Sequence, residues 1–140
     1  MKISTRGRYA LRVMIDLAEH NSGEFIPLSD IAQRQNISEK YLESIISILS
    51  KSAIVSGRRG KGGGYKLSRT PENYTIGEIL RLTEGSLSPV SCVDGEFCAK
   101  KSECKTYPVW KGLAKVINEY LDGVTIADLS NTNGEFNYII

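Results

Sequence analysis

Read for apolar and polar positions alone, the start of the chain predicts a helix over about Arg6 to His20. Tyr9, Ala10, Leu11, Val13, Met14, Ile15, Leu17 and Ala18 cover most of its circumference. Only a narrow polar strip remains, at Arg8, Arg12, Asp16 and Glu19. A helix apolar on so many sides is buried by more than one partner. It is therefore expected to lie between a packed unit and something else, a second subunit being one candidate. Asn21-Ser22-Gly23 ends it. Pro27 then opens a shorter helix, about Leu28 to Gln35, with Ile31 and Ala32 inward. Asn36-Ile37 forms a tight turn, and Ser38 caps a third helix running from about Glu39 to Ala53.

The third helix has two faces. Leu42, Ile45, Ile46, Leu49 and Ala53 recur at helical spacing and read as core. Lys40, Glu43, Ser44, Ser47 and Lys51 lie opposite. Serines are mediocre helix formers, but small side chains let a helix approach a groove wall, and Lys, Glu and Ser can bond to base edges or phosphates. Two helices joined by a short turn, the second with such a face, match a helix-turn-helix. An ordinary amphipathic pair gives the same pattern, so the next segment decides. Ala53–Ser56 and Tyr65–Ser68 alternate as short strands around Gly57-Arg58-Arg59-Gly60-Lys61-Gly62-Gly63-Gly64. This predicts a hairpin whose tip is rich in glycine and cation, shaped to touch phosphates or enter a narrow minor groove. No Walker-type phosphate loop is present. A helix-turn-helix followed by a basic hairpin is the winged-helix arrangement.

Thr75-Ile76-Gly77-Glu78 has capping-box spacing and starts a helix of about Ile76 to Leu82, closed by Gly85 and Pro89. Residues 86–105 read as loop. From Thr106 a further helix runs to about Leu121, with Pro108 in its first turn. Val109, Trp110, Leu113, Val116, Ile117, Tyr120 and Leu121 form a wide apolar arc, opposite Lys111, Lys115, Asn118, Glu119 and Asp122. The winged-helix core is nearly complete by residue 82. The arc is therefore expected to pack on the first helix or on its counterpart in a dimer, with Val109, Leu113, Val116, Ile117 and Tyr120 as dimerisation residues; packing within one subunit is the alternative. Residues 125–129 predict one more turn, and the apolar tail at 134–140 is expected to dock.

The fold class is thus mainly α with a small β-hairpin wing, a winged helix-turn-helix plus a long C-terminal dimerisation helix. The expected divisions are 1–83 for DNA binding, 84–105 for a cysteine-bearing loop, 106–130 for the dimerisation helix and its following turn, and 131–140 for the tail. Composition is that of an ordinary globular protein of 140 residues, 41% hydrophobic and 24% charged. No run of about 18 apolar residues exists to span a membrane, and the N-terminus lacks a signal-peptide cleavage pattern. The expected location is cytoplasmic. Net charge is only +2, but residues 1–74 carry 12 Lys/Arg against 7 Asp/Glu, whereas residues 75–140 carry 6 against 9. A basic first half suits a polyanion, though a solvated basic surface looks the same. No catalytic constellation is visible, which argues against an enzyme and a small-molecule substrate.

Cys92, Cys98 and Cys104 are the only cysteines and are spaced C-x5-C-x5-C. Common structural zinc sites use paired C-x2-C. Wide equal spacing suits a larger object in which each thiolate reaches a different iron, redox-active or incidental thiols being the alternatives.

Met1–Ala10 (MKISTRGRYA), Ile37–Glu43 (ISEKYLE), Arg59–Tyr65 (RGKGGGY), the cysteine triplet and Thr106–Trp110 (TYPVW) together resemble the Rrf-type bacterial winged-helix transcriptional regulators. The likeness runs from residue 1 to about 130 and is strongest to the branch that carries iron–sulfur clusters. It implies a homodimeric repressor or activator that binds operator DNA, with the long C-terminal helix crossing its mate. Cys92, Cys98 and Cys104 look like cluster ligands, Glu43 like a base reader, and Arg59 like a wing residue inserted in the minor groove. Lys40, Tyr41, Ser44, Arg58 and Lys61 complete the expected DNA-binding set. One position departs from the pattern: cluster-binding relatives have a histidine three residues past the last cysteine, where this chain has Tyr107. That leaves two-iron and four-iron clusters both open. Nitric-oxide-sensing relatives use an aspartate near the N-terminus, about where Arg8 stands here, and relatives controlling cysteine metabolism lack the triplet. The expected function is a DNA-binding regulator controlled by an iron–sulfur cluster. The alternatives are a cysteine-, redox- or nitric-oxide-responsive regulator of the same family, or a cluster-carrying interaction protein that does not bind DNA.

Overall fold

The computed structural model describes residues 2–130; the expected docking of the tail lies outside them. Helix α1 spans Thr5–Glu19 and starts on a cap, the Ser4 hydroxyl accepting from the Gly7 N–H at 3.0 Å. Ala10, Val13, Met14 and Leu17 are fully buried. Around α1 pack α2 (Leu28–Gln35), α3 (Glu39–Lys51), α4 (Ile76–Glu84) and the short α6 (Ile126–Ser130). The several partners expected from its apolar circumference are thus supplied by its own chain. The polar strip is narrower than expected, because Asp16 is 2% exposed and lies beneath the end of α2.

Asn36 ends α2 in the left-handed conformation, φ 55°, and Ser38 caps α3 by accepting from the Tyr41 N–H. Asparagine tolerates that conformation better than most residues, so the turn is short and α3 leaves it at a fixed angle. Leu42, Ile45, Ile46 and Leu49 face the core as the periodicity predicts. Ala53 does not. α3 ends at Lys51, and Ala53 is exposed at φ 57°, its N–H bonded to the Ser50 carbonyl while the Ile54 N–H reaches back to Leu49. This is a left-handed helix stop made without glycine.

Strands β1 (Val55–Arg58) and β2 (Gly64–Leu67) pair antiparallel from Val55↔Leu67 to Arg58↔Gly64. The hairpin is tied to the chain before α2 by two backbone bonds between Ile26 and Tyr65, each 2.8 Å. Gly64 makes this contact possible, since a Cβ there would lie 2.1 Å from the Ile26 carbonyl oxygen. Tyr74 is fully buried beneath the hairpin. Its hydroxyl donates to the Ile54 carbonyl at 2.7 Å and accepts from the Arg69 N–H at 2.8 Å. Thr75 caps α4 as expected, but Glu78 does not reach back to the cap; its carboxylate takes Arg69 at 2.7 Å. Helix α5 (Tyr107–Asp122) leads to α6, where Val124 and Ile126 bond through their backbones to Ile76 and Tyr74. Thr125 and Asp128 cap α6 reciprocally.

Candidate nucleic-acid interface and cysteine segment

On α3, Lys40, Glu43, Ser44 and Ser47 are exposed, and the Ser44 hydroxyl is turned back onto the Tyr41 carbonyl at 2.6 Å. Tyr41 is half-buried and meets the Tyr9 ring edge-on, with centroids 5.8 Å apart. Tyr41 therefore joins the start of α3 to α1, a packing role beside any contact it makes outward. The wing tip turns through Gly60 at φ 87° and Gly62 at φ 76°, a conformation that favours glycine. Arg58, Arg59 and Lys61 stand exposed there.

Several arginines are held by partners within the fold. Arg34 forks onto Asp16 at 2.8 and 3.0 Å, and that hydrogen bond raises its pKa. Arg69 is held in the same way by Glu78, and Arg81 by Asp122. Arg12 donates to both the side chain and the carbonyl of Gln35. Lys40, Arg58, Arg59 and Lys61, by contrast, have no ion pair or side-chain hydrogen bond among the described residues. Uncompensated cations on a hairpin tip and at a helix start attract phosphate.

A network missing from the sequence reading holds α2 against α1. Buried Asp16 accepts from Arg34 and from the Gln35 amide at 2.8 Å, and Gln35 in turn takes Arg12. These partners stand 18 to 23 residues apart, so local pattern cannot show them. The one hint was a carboxylate bordering an apolar arc.

The three cysteines are free thiols. Cys92 is half-buried in a single helical turn, Ser91–Asp94, whereas Cys98 and Cys104 are exposed. Cys98 and Cys104 line one open depression with Lys101, Ser102, Tyr107 and Pro108; Cys92 lies off it. Among the described residues no three His, Cys, Asp or Glu side chains converge enough to share a metal ion. His20 is spoken for at the end of α1, its Nδ1 lying 2.8 Å from the Asp16 carbonyl oxygen. The Cys104 sulfur lies 3.3 Å from the Thr106 hydroxyl. That hydrogen bond, with the Thr106 and Tyr107 backbone N–H groups, lowers the Cys104 pKa from its ordinary value. Lys101 stands over the Tyr107 ring at 4.9 Å. Of the expected dimerisation residues, Val109 (59% exposed), Leu113 (41%) and Val116 (60%) form an open apolar stripe on α5. Ile117 and Tyr120 instead pack partly on the core of their own chain.

Three comparisons place this geometry among known proteins. The model of the Rrf2 family, described as an iron-dependent transcriptional regulator, matches residues 3–132. The chain is similar to the HTH-type transcriptional regulator IscR of Aliivibrio salmonicida, 36% identical over 133 residues, covering 95% of this chain and 79% of the relative. Among solved structures it resembles CymR, the global cysteine regulator of B. subtilis, at TM-score 0.76 and 39% identity, covering 93% of this chain and 96% of that one. It resembles the IscR of T. potens at TM-score 0.74 and 38% identity, covering 100% and 93%. These relatives are transcriptional regulators, not enzymes, and no helix among the described residues is long and apolar enough to cross a membrane. The chain belongs to the Rrf2 family of winged-helix transcriptional regulators.

Proposed function

We propose that the chain acts in the cytoplasm as a homodimer that binds operator DNA, and that an iron–sulfur cluster on Cys92, Cys98 and Cys104 controls this binding. The observation that carries the DNA-contact assignment is the exposed cation cluster of the wing tip, Arg58, Arg59 and Lys61 around the left-handed Gly60 and Gly62, with Lys40 exposed at the start of α3. Lys40, Glu43 and Ser44 read base edges, Tyr41 steadies the start of α3, and the wing cations hold phosphates or enter the minor groove. The Val109–Leu113–Val116 stripe supports a dimer, because three exposed apolar side chains at helical spacing suit a mate helix carrying the same stripe. The DNA-binding unit then comprises residues 1–83, the cysteine segment 84–105 and the dimer element 106–130.

Donor chemistry fits a cluster: three accessible thiols lie within thirteen residues, and one is already shifted toward thiolate. Two of them share a depression, so joint ligation requires the segment from Cys92 to Cys98 to rearrange. When bound, the cluster supplies an oxygen-labile crosslink across residues 92–104, a segment that runs directly into α5. Tyr107 lines the same depression, but a phenol offers a hard oxygen donor where soft thiolate or imidazole ligands suit cluster iron. The test is anaerobic reconstitution of wild type, each Cys→Ala variant and Tyr107→His, read by visible absorbance and by iron and sulfide content. Wild type should take up a cluster, each cysteine variant should lose it while keeping its helical spectrum, and Tyr107→His should slow its decay in air. Wild type without iron and sulfide, or cysteine variants with as much, would contradict the assignment.

A second reading is supported by the lowered Cys104 pKa and by the similarity to a cysteine regulator. Here Cys104 is oxidised by peroxide to a sulfenic acid that condenses with Cys98, releasing water. It predicts loss of two free thiols on peroxide treatment of metal-free protein, with a matching change in DNA affinity.

A further inference from the structure

Arg81 stands on α4 where that helix meets α5. Its Nη1 donates to Asp122 Oδ1 at 2.7 Å, and its Nη2 to Asp122 Oδ2 at 3.0 Å and to Asn118 Oδ1 at 2.6 Å. The Asn118 amide is itself fixed, donating to the Ala114 carbonyl at 2.8 Å. One turn earlier on α4, Gly77 lets the two helices close up, since a Cβ there would lie 2.1 Å from Asp122 Oδ1. Just beyond α5, the Ile76 N–H donates to the Val124 carbonyl at 2.9 Å. The C-terminal end of α5 is therefore fastened to α4, and α4 packs on α1 and the DNA-reading unit. Toward its other end α5 bears the exposed Val109 and Leu113, and the helix also rests on the single turn Ser91–Asp94. From Asn118 back to Tyr107 the helix is an arm of about 16 Å, at ~1.5 Å per residue, extending from the clamp.

We infer that Arg81, with Asn118 and Asp122, is a positioning clamp that fixes the angle between α5 and the DNA-reading unit, and so sets the half-site spacing the protein accepts. The inference rests on the dimer reading above. In such a dimer the α5 stripe is pinned against its mate, so any change of angle at the clamp appears as a displacement of the recognition helices. A tilt of roughly 12° over that arm moves its end by about 3.4 Å, one base-pair step. Arg81 and Asp122 are 37% and 46% exposed, and ion pairs so placed contribute little to stability. Geometry is what the fork adds, since a guanidinium holding two oxygens of one carboxylate and a third acceptor fixes direction as a lysine does not.

The experiment selects an operator from a random duplex pool with wild-type protein, then inserts or removes one base pair between its half-sites. Affinities for the three duplexes are measured for wild type, Arg81→Met, Arg81→Lys and Asp122→Asn, with sedimentation and thermal melting of each. Wild type should lose at least about tenfold on either shifted duplex, the scale of a mismatched position. Arg81→Met and Asp122→Asn should remain folded dimers and differ by less than about threefold among the spacings, with Arg81→Lys between. Dimeric variants that keep the wild-type spacing preference would overturn the clamp. So would loss of the dimer in both Arg81→Met and Asp122→Asn, which would assign the pair to assembly. A monomeric wild type, or selected sites with a single half-site, would instead overturn the dimer reading beneath it.

Discussion

Ala53 holds φ at 57° where α3 passes into β1, a conformation glycine adopts without strain and alanine does not. Replacing it with glycine removes that strain but adds freedom to the unfolded chain. The net expectation for Ala53→Gly is a gain of about 0.5–1 kcal/mol, seen as a higher urea midpoint at unchanged slope; a lower midpoint would contradict it. At Cys104 the consequence concerns reactivity. Because hydrogen bonds from Thr106 lower its pKa, thiolate is present below the pH at which an ordinary thiol ionises and disappears as pH falls through the lowered value. Pulsed alkylation across pH 6 to 9 (roughly the range spanning an ordinary thiol's midpoint), read by mass spectrometry, should place the Cys104 midpoint below that of an unperturbed thiol, and Thr106→Val should raise it. Residue types were legible in the sequence; residue environments were not. Arg34, Arg58, Arg59 and Arg81 look alike as letters, yet two are spent on carboxylates 18 and 41 residues away and two are free. Asp16 stands in the polar strip of α1 for the same reason, its partners Arg34 and Gln35 lying 18 and 19 residues away on α2.

At the scale of elements, short-range rules read the chain well where the signal is local. Ser4, Ser38 and Thr75 cap their helices, and the strands pair around a glycine-rich tip, because caps and turns depend on residues three or four apart. The end of α3 was misplaced because alanine seldom stops a helix. The expected capping box of α4 is half-made because Arg69, folded over Tyr74, offers Glu78 a charged partner. The apolar arc of α5 was visible, but its division was not: Ile117 and Tyr120 turn to their own core, and Val109, Leu113 and Val116 to the outside. Burying a lysine against a mate helix is costly, whereas on an exposed helix face it is not. Val116→Lys should therefore convert a dimer to a monomer in sedimentation without lowering the monomer's thermal stability. An unchanged dimer would move the interface elsewhere.

The proposed function divides the molecule into three parts with different demands: a DNA-reading unit built on α1, a cysteine segment, and a helix α5 whose C-terminal end is fastened to α4. The packed unit supplies rigidity for α3 and the wing, whereas Cys98 and Cys104 are exposed on a segment with no fully buried cysteine. Fold and family were legible because apolar periodicity and motif both repeat locally. Convergence of the three thiols was not, because spacing along a loop does not determine distance across it. The central claim is that Lys40, Arg58, Arg59 and Lys61 contact phosphates, and the most direct measurement is duplex affinity as a function of salt. With six to ten phosphate contacts per dimer, binding should weaken by about 10³ to 10⁵ between roughly 50 and 200 mM salt. Arg59→Ala should reduce the logarithmic slope by about 1 or 2, one contact for each subunit. A flat salt dependence, or an Arg59→Ala slope equal to that of wild type, would contradict the account.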